Sequence, residues 1–538
     1  MSYRKFILVL LFSATFLFPQ QQPKLVVGII IDQMRFDYLY RFKENYGEDG
    51  FVRLMKEGSN FTFAHFNYVT TVTAAGHASV YTGTTPFFHG IISNDFYNRD
   101  SGRQVYCVND FRYSGLGGDD HMSPSNLMCT TITDQLKLSN NGLSKVISIC
   151  IKDRGAILPG GKLANAAYWY YPENGNFMSS TYYMTDLPDW VKDFNNKKLP
   201  AKYAAMDWNL SKPIENYRTS FPDENKFEPD AFKEGRTSFP HSLKNIKENR
   251  KLEYLKSTPL GNQILVDFAG AVLDNEKLGQ NNVPDFLAVS FSSTDYIGHR
   301  YGPNSVEIQD TYIKLDTQIA ELLKMLDDKV GKGNYLLFLT SDHAVSEIPE
   351  YINTKEKHTF SSQKFSAAVK QFLKSAFGTE KLFADYSNKQ VFLDHNLMKE
   401  MKLDGRDVRS KLVDFIRSNF PEVLLAFTSD NFNDKIASRN ETNYILNGYN
   451  PIRSGDVTTE LRADYFFDLG SGNDRTTHGT AYAYDTHVPL LFYGWGIPAQ
   501  EINSPVFTID IAATIANLLK INEPSANMGI PLIKVRSK

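Results

Sequence analysis

Four short apolar runs in this chain stop abruptly at or near polar residues: Leu25 to Ile31 before Asp32, Val146 to Ile151 before Lys152, Phe286 to Phe291 before Asp295, and Tyr335 to Leu339 before Asp342. Continuous rather than alternating hydrophobicity marks strands buried on both faces, as in a parallel sheet covered by helices. Helical spacing intervenes, with Ile308, Tyr312, Leu315, Ile319, Leu322 and Leu326 on one stripe and Asn304 and Glu307 placed as an N-cap and its reciprocal partner. The strand Val488 to Tyr493, then Thr508 and the pattern Ile511, Ile515, Leu519, repeats the alternation. The fold class expected is therefore α/β, a sandwich with a mostly parallel central sheet and helices on both faces. Ligands of such folds gather at the carboxyl ends of the strands, and there the acids stand.

At 538 residues the chain exceeds an ordinary domain, and two stretches, about 155–260 and 345–470, break the rhythm. They are rich in Asn, Lys, Tyr and Pro and poor in long periodic runs, which suggests insertions into a single catalytic domain spanning 21–538. A formal charge of -3 argues against a nucleic-acid groove as a specific partner. Arg4 and Lys5, the apolar stretch Phe6 to Phe18 and then Pro19 with a Gln run read as a secretory signal over 1–20, so a periplasmic or secreted protein with no membrane segment in its mature form is expected. Of the three cysteines, Cys107 and Cys129 are the likelier pair if one bridge forms, because Cys150 lies inside an apolar strand.

Asp295 and His299, four apart, project to one side of a helical turn, and a carboxylate with an imidazole is an ordinary zinc pair. His478, in Thr477-His478-Gly479, is chosen as their third ligand over His487. Asp342 and His343 follow the Tyr335 run, and Asp32 matches them from the first run; a metal there offsets the cost of an acid against so apolar a segment. Thr73, before a helix through Tyr81, is the candidate nucleophile, since free N–H groups at a helix start favour an anion. Lys152 and Arg154, two apart at a strand end, share a face and suit a dianionic monoester, while Asn94 offers an amide donor to a phosphoryl oxygen. His77 reads as a supporting residue, and His241 has no metal-like company in sequence.

Together Leu25 to Asp37, Thr73 to Gly83, Lys152-Asp153-Arg154-Gly155, Asp295 through Gly302-Pro303, Ser341-Asp342-His343 and Thr477-His478-Gly479 resemble the alkaline phosphatase superfamily, most of all its monomeric bacterial PafA group. The resemblance implies an alkaline-phosphatase-like fold and a monomer with two Zn²⁺ per chain. By similarity, one zinc would be held by Asp295, His299 and His478, and the other by Asp32, Asp342, His343 and Thr73. Asn94, Lys152 and Arg154 would bind the phosphoryl group. Small-molecule phosphate monoesters are the implied substrates, hydrolysed through a phosphothreonine, with inorganic phosphate as product and competitive inhibitor. Alternatives are a phosphodiesterase or nucleotide pyrophosphatase, a phosphonate hydrolase, or a metal- or phosphate-binding protein without turnover.

Overall fold

The computed structural model describes residues 22–352, 358–428, 430, 440–463, 465–467 and 472–533, so the apolar N-terminal stretch lies outside the described residues. Eleven strands form the central sheet: β1 (Leu25–Ile31), β2 (Ser59–His65), β3 (Gly115–Leu116), β4 (Val146–Cys150), β5 (Ala166–Tyr171), β6 (Asn176–Ser180), β7 (Asp285–Phe291), β8 (Tyr335–Thr340), β9 (His487–Gly494), β10 (Gln500–Ile502) and β11 (Val506–Phe507). Their order is β10-β2-β9-β8-β1-β7-β4-β5-β6-β3, with β11 also on β2. The middle five, β8-β1-β7-β4-β5, run parallel, and β9 and β6 flank them antiparallel.

The apolar runs are buried on both faces, as their continuity predicts. Leu25, Val27, Ile29 and Ile31 of β1 enter a core with Tyr312, Leu315 and Ile319. Val26 and Ile30 enter the opposite core with Ile511 and Ile515. Successive side chains of one strand thus anchor helices on opposite faces, each buried aliphatic contributing about 1.5–3 kcal/mol. The helices that matter for the site are α1 (Thr73–Thr82), α2 (Asp153–Gly160), α3 (Pro259–Glu276), α4 (Ser293–Tyr301), α5 (Val306–Lys329) and α6 (Asp510–Leu519).

Three local expectations need correction. The N-cap of α5 is Ser305, whose hydroxyl accepts from the Ile308 N–H at 3.1 Å; the Asn304 side chain instead joins Arg41 and Glu347. All three cysteines are free and buried: Cys107 packs among Ala74, Ala78 and Ile91 rather than bridging Cys129. The later interruption is not poor in regular structure. It holds helices over Ser362–Phe377 and Gly405–Asn419 against a four-stranded sheet, around its own core of Phe365, Val369, Leu373, Leu412 and Ile416. The earlier one supplies β5 and β6 to the central sheet, where Tyr168 and Tyr170 are buried and Phe177 stacks on Phe268 at 3.9 Å. Among the described residues no helix is long and apolar enough to cross a membrane.

Candidate active site

The site forms where β1, β4, β7 and β8 end. The Asp32 N–H donates to the Phe291 carbonyl at 2.8 Å, which fixes its carboxylate beside the start of α4. Asp295 lies in the first turn of α4 and His299 one turn on, with 3.2 Å between Oδ1 and Nε2. The bend after β8 lets both Asp342 and His343 turn inward, which a flat strand forbids. His478 arrives from far along the chain, its Nε2 3.7 Å from Asp295 Oδ1 and its ring stacked on His343 at 3.5 Å. His487, the rival, stacks on His65 and Phe36 along the β9–β2 pair instead.

Each inward histidine is oriented by the backbone. Nδ1 of His299 meets the Thr476 carbonyl at 2.9 Å, that of His343 the Ala344 carbonyl at 3.0 Å, and that of His478 the Thr71 carbonyl at 2.7 Å. A carbonyl only accepts, so Nδ1 carries the proton and Nε2 keeps its lone pair, as a metal-ligating histidine requires. Ligand atoms of Asp295, His299 and His478 lie within 4.8 Å of one another, as do those of Asp32, Asp295 and His343. Asp342 stands next to the second group, its Oδ2 3.7 Å from His343 Nε2. Asp32 Oδ1, Asp342 Oδ2 and His343 Nε2 are buried with no hydrogen-bond partner. Orphaned oxygen and nitrogen atoms so close together fit divalent cations of the zinc type.

Lys152 is the fixed positive charge of the site. Its ammonium donates to Asp32 Oδ2 at 2.8 Å and Asp295 Oδ2 at 2.6 Å, and lies 3.4 Å from Thr73 Oγ1. Burial opposes its charge, yet Asp295 and Asp32 raise its pKa above the ordinary lysine value. Burial also disfavours a charged Asp295, but Lys152, His299 and His478 hold it well below the usual carboxylate range. Asp32 goes the other way, pushed up by burial and by Asp342 more than Lys152 can offset. Burial lowers the pKa of His343 and of His478.

Thr73 is the first residue of α1, after Val72 at the N-cap, and its hydroxyl faces the Lys152 ammonium. Asn94 Oδ1 accepts from the Ala74 N–H at 2.9 Å, which leaves its amide nitrogen as the donor. Gly76 lets α1 lie directly on the Asp342 backbone: a Cβ there would sit 2.2 Å from the Asp342 carbonyl oxygen. Lys152 and Arg154 do line one cavity of about 160 Å³, with Tyr106, Trp169, Tyr171 and Tyr296. They converge for a different reason than strand alternation, because β4 ends at Cys150 and Lys152 is the N-cap of α2.

Two neighbours escaped the sequence reading, Gln33 and Tyr106. The Gln33 amide donates to Asp295 Oδ1 at 2.7 Å and its N–H to Asp342 Oδ1 at 3.1 Å, so one residue ties both ligand groups together. It does so from a left-handed conformation, φ 64°, with Gly298 leaving room for its side chain. Tyr106 accepts from Arg154 Nη1 at 3.0 Å and donates to Asp153. His77, placed only as a supporting residue, bonds the Thr73 carbonyl and Ser290 and lies 3.3 Å from Asp342 Oδ2.

A family profile described as type I phosphodiesterase/nucleotide pyrophosphatase matches residues 26–481. Alkaline phosphatase PhoV of Synechococcus elongatus is 43% identical over 518 residues, 95% of this chain and 93% of that one. Alkaline phosphatase PafA of Elizabethkingia meningoseptica is 39% identical over 519 residues, covering 96% and 94%. The crystal structure of wild-type PafA superposes with a TM-score of 0.90 at 39% identity, over 96% of this chain and 99% of that one. The chain belongs to the type I phosphodiesterase and nucleotide pyrophosphatase family of the alkaline phosphatase superfamily, and is similar over nearly its whole length to the bacterial alkaline phosphatases PhoV and PafA.

Proposed function

We propose that the protein is an alkaline phosphatase of broad range, hydrolysing phosphate monoesters to alcohol and inorganic phosphate through a phosphothreonine at Thr73. The observation that carries this reading is the buried Lys152 ammonium 3.4 Å from Thr73 Oγ1, with Arg154 lining the same cavity as Lys152. One cation beside the hydroxyl and a second lining the adjoining cavity match a dianionic phosphoryl group. Asp295, His299 and His478 would hold one zinc ion, and Asp32, Asp342, His343 and Thr73 Oγ1 the other. When bound, the ions supply Lewis-acid charge that favours the threonine alkoxide and the departing ester oxygen.

The chain's own groups do the positioning, which dominates phosphoryl transfer because its transition state is loose. The Asn94 amide, the Arg154 guanidinium and Lys152 hold the phosphoryl oxygens. Thr73 Oγ1 gives up its proton and bonds to phosphorus; the bond to the ester oxygen breaks, and that oxygen leaves with the electron pair and is protonated. Water then attacks phosphorus, releasing inorganic phosphate and restoring the hydroxyl. Contacts gathered on the phosphoryl group explain a broad substrate range and competitive inhibition by phosphate. The protein acts as an exported monomer, its two interruptions forming part of one catalytic unit.

Thr73→Ala tests the nucleophile: metal content should stay at two ions per chain while turnover of an aryl phosphate falls by about 10³-fold or more. Near-normal turnover would sink the assignment. The family profile gives a phosphodiesterase reading its own support. Relative rates on an aryl monoester and its methyl diester separate the two, and neutralising Lys152 and Arg154 together should hurt the monoester far more.

A further inference from the structure

In the lobe formed by the later interruption, the turn Asn388-Lys389 closes a hairpin between the strands Phe383–Ser387 and Gln390–Leu393, with Ser387 paired to Gln390. Both turn residues are left-handed, φ 52° at Asn388 and 61° at Lys389. A two-residue turn of this kind favours Asn followed by Gly, because a side chain at the second position is strained there. Asn388 follows the rule and Lys389 breaks it. Lys389 is also only 5% exposed, where a lysine at a hairpin tip ordinarily trails into solvent.

All three protons of its ammonium are used. Two go to Oε1 and Oε2 of Glu460 at 2.8 and 2.6 Å, and the third to the Gly479 carbonyl at 2.8 Å. Glu460 is fully buried on the strand Val457–Leu461, and its neighbour Thr459 donates its N–H and hydroxyl to the Lys389 carbonyl at 2.8 and 2.9 Å. The ion pair thus stays within the lobe, while the remaining bond leaves it for the residue after His478. On the other side of the same turn the Asn388 amide donates to the Asp95 carbonyl at 2.7 Å, next to Asn94.

The loop carrying His478 has further ties to the catalytic body. His478 Nδ1 donates to the Thr71 carbonyl, Thr71 Oγ1 donates to the Thr480 carbonyl at 3.0 Å, and Asp485 accepts from Thr480. Between them the buried Gly479 stands at φ 117°, where glycine is permissive, so its own backbone preference does not fix the direction of its carbonyl. The Lys389 ammonium fixes it. A buried carbonyl that lost this donor would turn to find another, and the imidazole one residue before it would turn as well.

We propose that Lys389 is a positioning residue for His478: reaching down from the lobe, it holds the Gly479 carbonyl so that the imidazole faces Asp295 and His299, and thereby sets the affinity of that group for its zinc ion. The inference rests on the proposed function, in which His478 is a zinc ligand. Glu460 balances the ammonium, so the tie adds no net charge beside a cation site.

The test compares full-length Lys389→Gly/Glu460→Gln with the wild type. Glycine suits the turn and the double change strands no charge, so the metal-free variant should unfold at a urea midpoint near that of the wild type. Zinc affinity is read by competition with a chelator of known strength. The variant should bind one of the two ions about 10–100-fold more weakly and the other as before, as expected when the support of a metal ligand is removed. His478→Ala, the reference, should weaken the same binding step further. Unchanged affinity for both ions in the double variant, with His478→Ala weakened, overturns the role of Lys389 and leaves the proposed function standing. Unchanged affinity in His478→Ala overturns both. A general loosening would lower the metal-free midpoint and weaken both ions, and would overturn the role equally.

Discussion

Two groups of buried carboxylates lie at opposite ends of α4, and they are balanced differently. At its start, Asp32 and Asp295 share the Lys152 ammonium at 2.8 and 2.6 Å. Near its end, Glu307 has only His241, itself divided between Glu307 and Glu234, and the oxygens of the buried Glu228 have no hydrogen-bond partner. A covalently attached cation preserves charge balance whether or not an ion is bound, so the catalytic residues keep their arrangement between loadings. The second group has no such internal cation among the described residues.

The sharpest way to break this comparison is Lys152→Met. Removing one partner of a buried pair strands the others, so in the metal-free protein unfolding free energy should drop by about 3–5 kcal/mol. Zinc loading should recover much of that loss in denaturant titrations. An equal loss in both states would mean that Lys152 is not the counter-charge.

Asp485 provides an intermediate case, a fully buried acid partnered by the Thr480 N–H and hydroxyl at 2.8 and 2.7 Å. Burial still raises its pKa to about 7. The folded form therefore binds a proton more tightly than the unfolded chain, and stability should fall as pH rises from about 4 to about 7, by at most about 4 kcal/mol. Asp485→Asn should flatten that stretch in urea titrations of the metal-free protein; an unaltered slope would show that hydrogen bonds alone keep it ionised. The smallest effect expected is for Ser305→Ala, which removes the cap of α5 and with it about 1 kcal/mol of stability. The midpoint of urea unfolding reads the difference, and an unchanged midpoint would show that the cap contributes nothing.

What could be read in the sequence follows from where the information is local. The central strands announce themselves because each is a contiguous apolar run, and Asp32, Lys152, Asp295 and Asp342 are conspicuous because they follow one. His478 was separable from His487 only by its Thr-His-Gly setting, and it is the one whose imidazole stacks on His343. Gln33 was invisible: glutamine is unremarkable after an aspartate, and its value lies in a left-handed backbone that no pattern marks. Tyr106 reaches Arg154 across 48 residues, a contact created by the tertiary fold. His241 looked companionless for the same reason, since Glu307 is 66 residues away. The helices at Ser362–Phe377 and Gly405–Asn419 were legible but underread, because Phe365, Val369, Leu373 and Val408, Leu412, Ile416 recur every fourth residue or so amid a composition that suggested loops.

The chain leaves the catalytic cluster just past His343 and comes back just ahead of His478, and those two crossing points are stitched together. Ser346 Oγ donates to the Thr477 carbonyl at 2.7 Å and Thr476 Oγ1 to the Ser346 carbonyl at 2.8 Å, across about 130 residues of sequence. Because doubling a loop adds only about 0.6 kcal/mol of closure entropy, whatever hangs from this seam scarcely strains it. The seam thus keeps His343 and His478 side by side whatever the length of chain that runs between them.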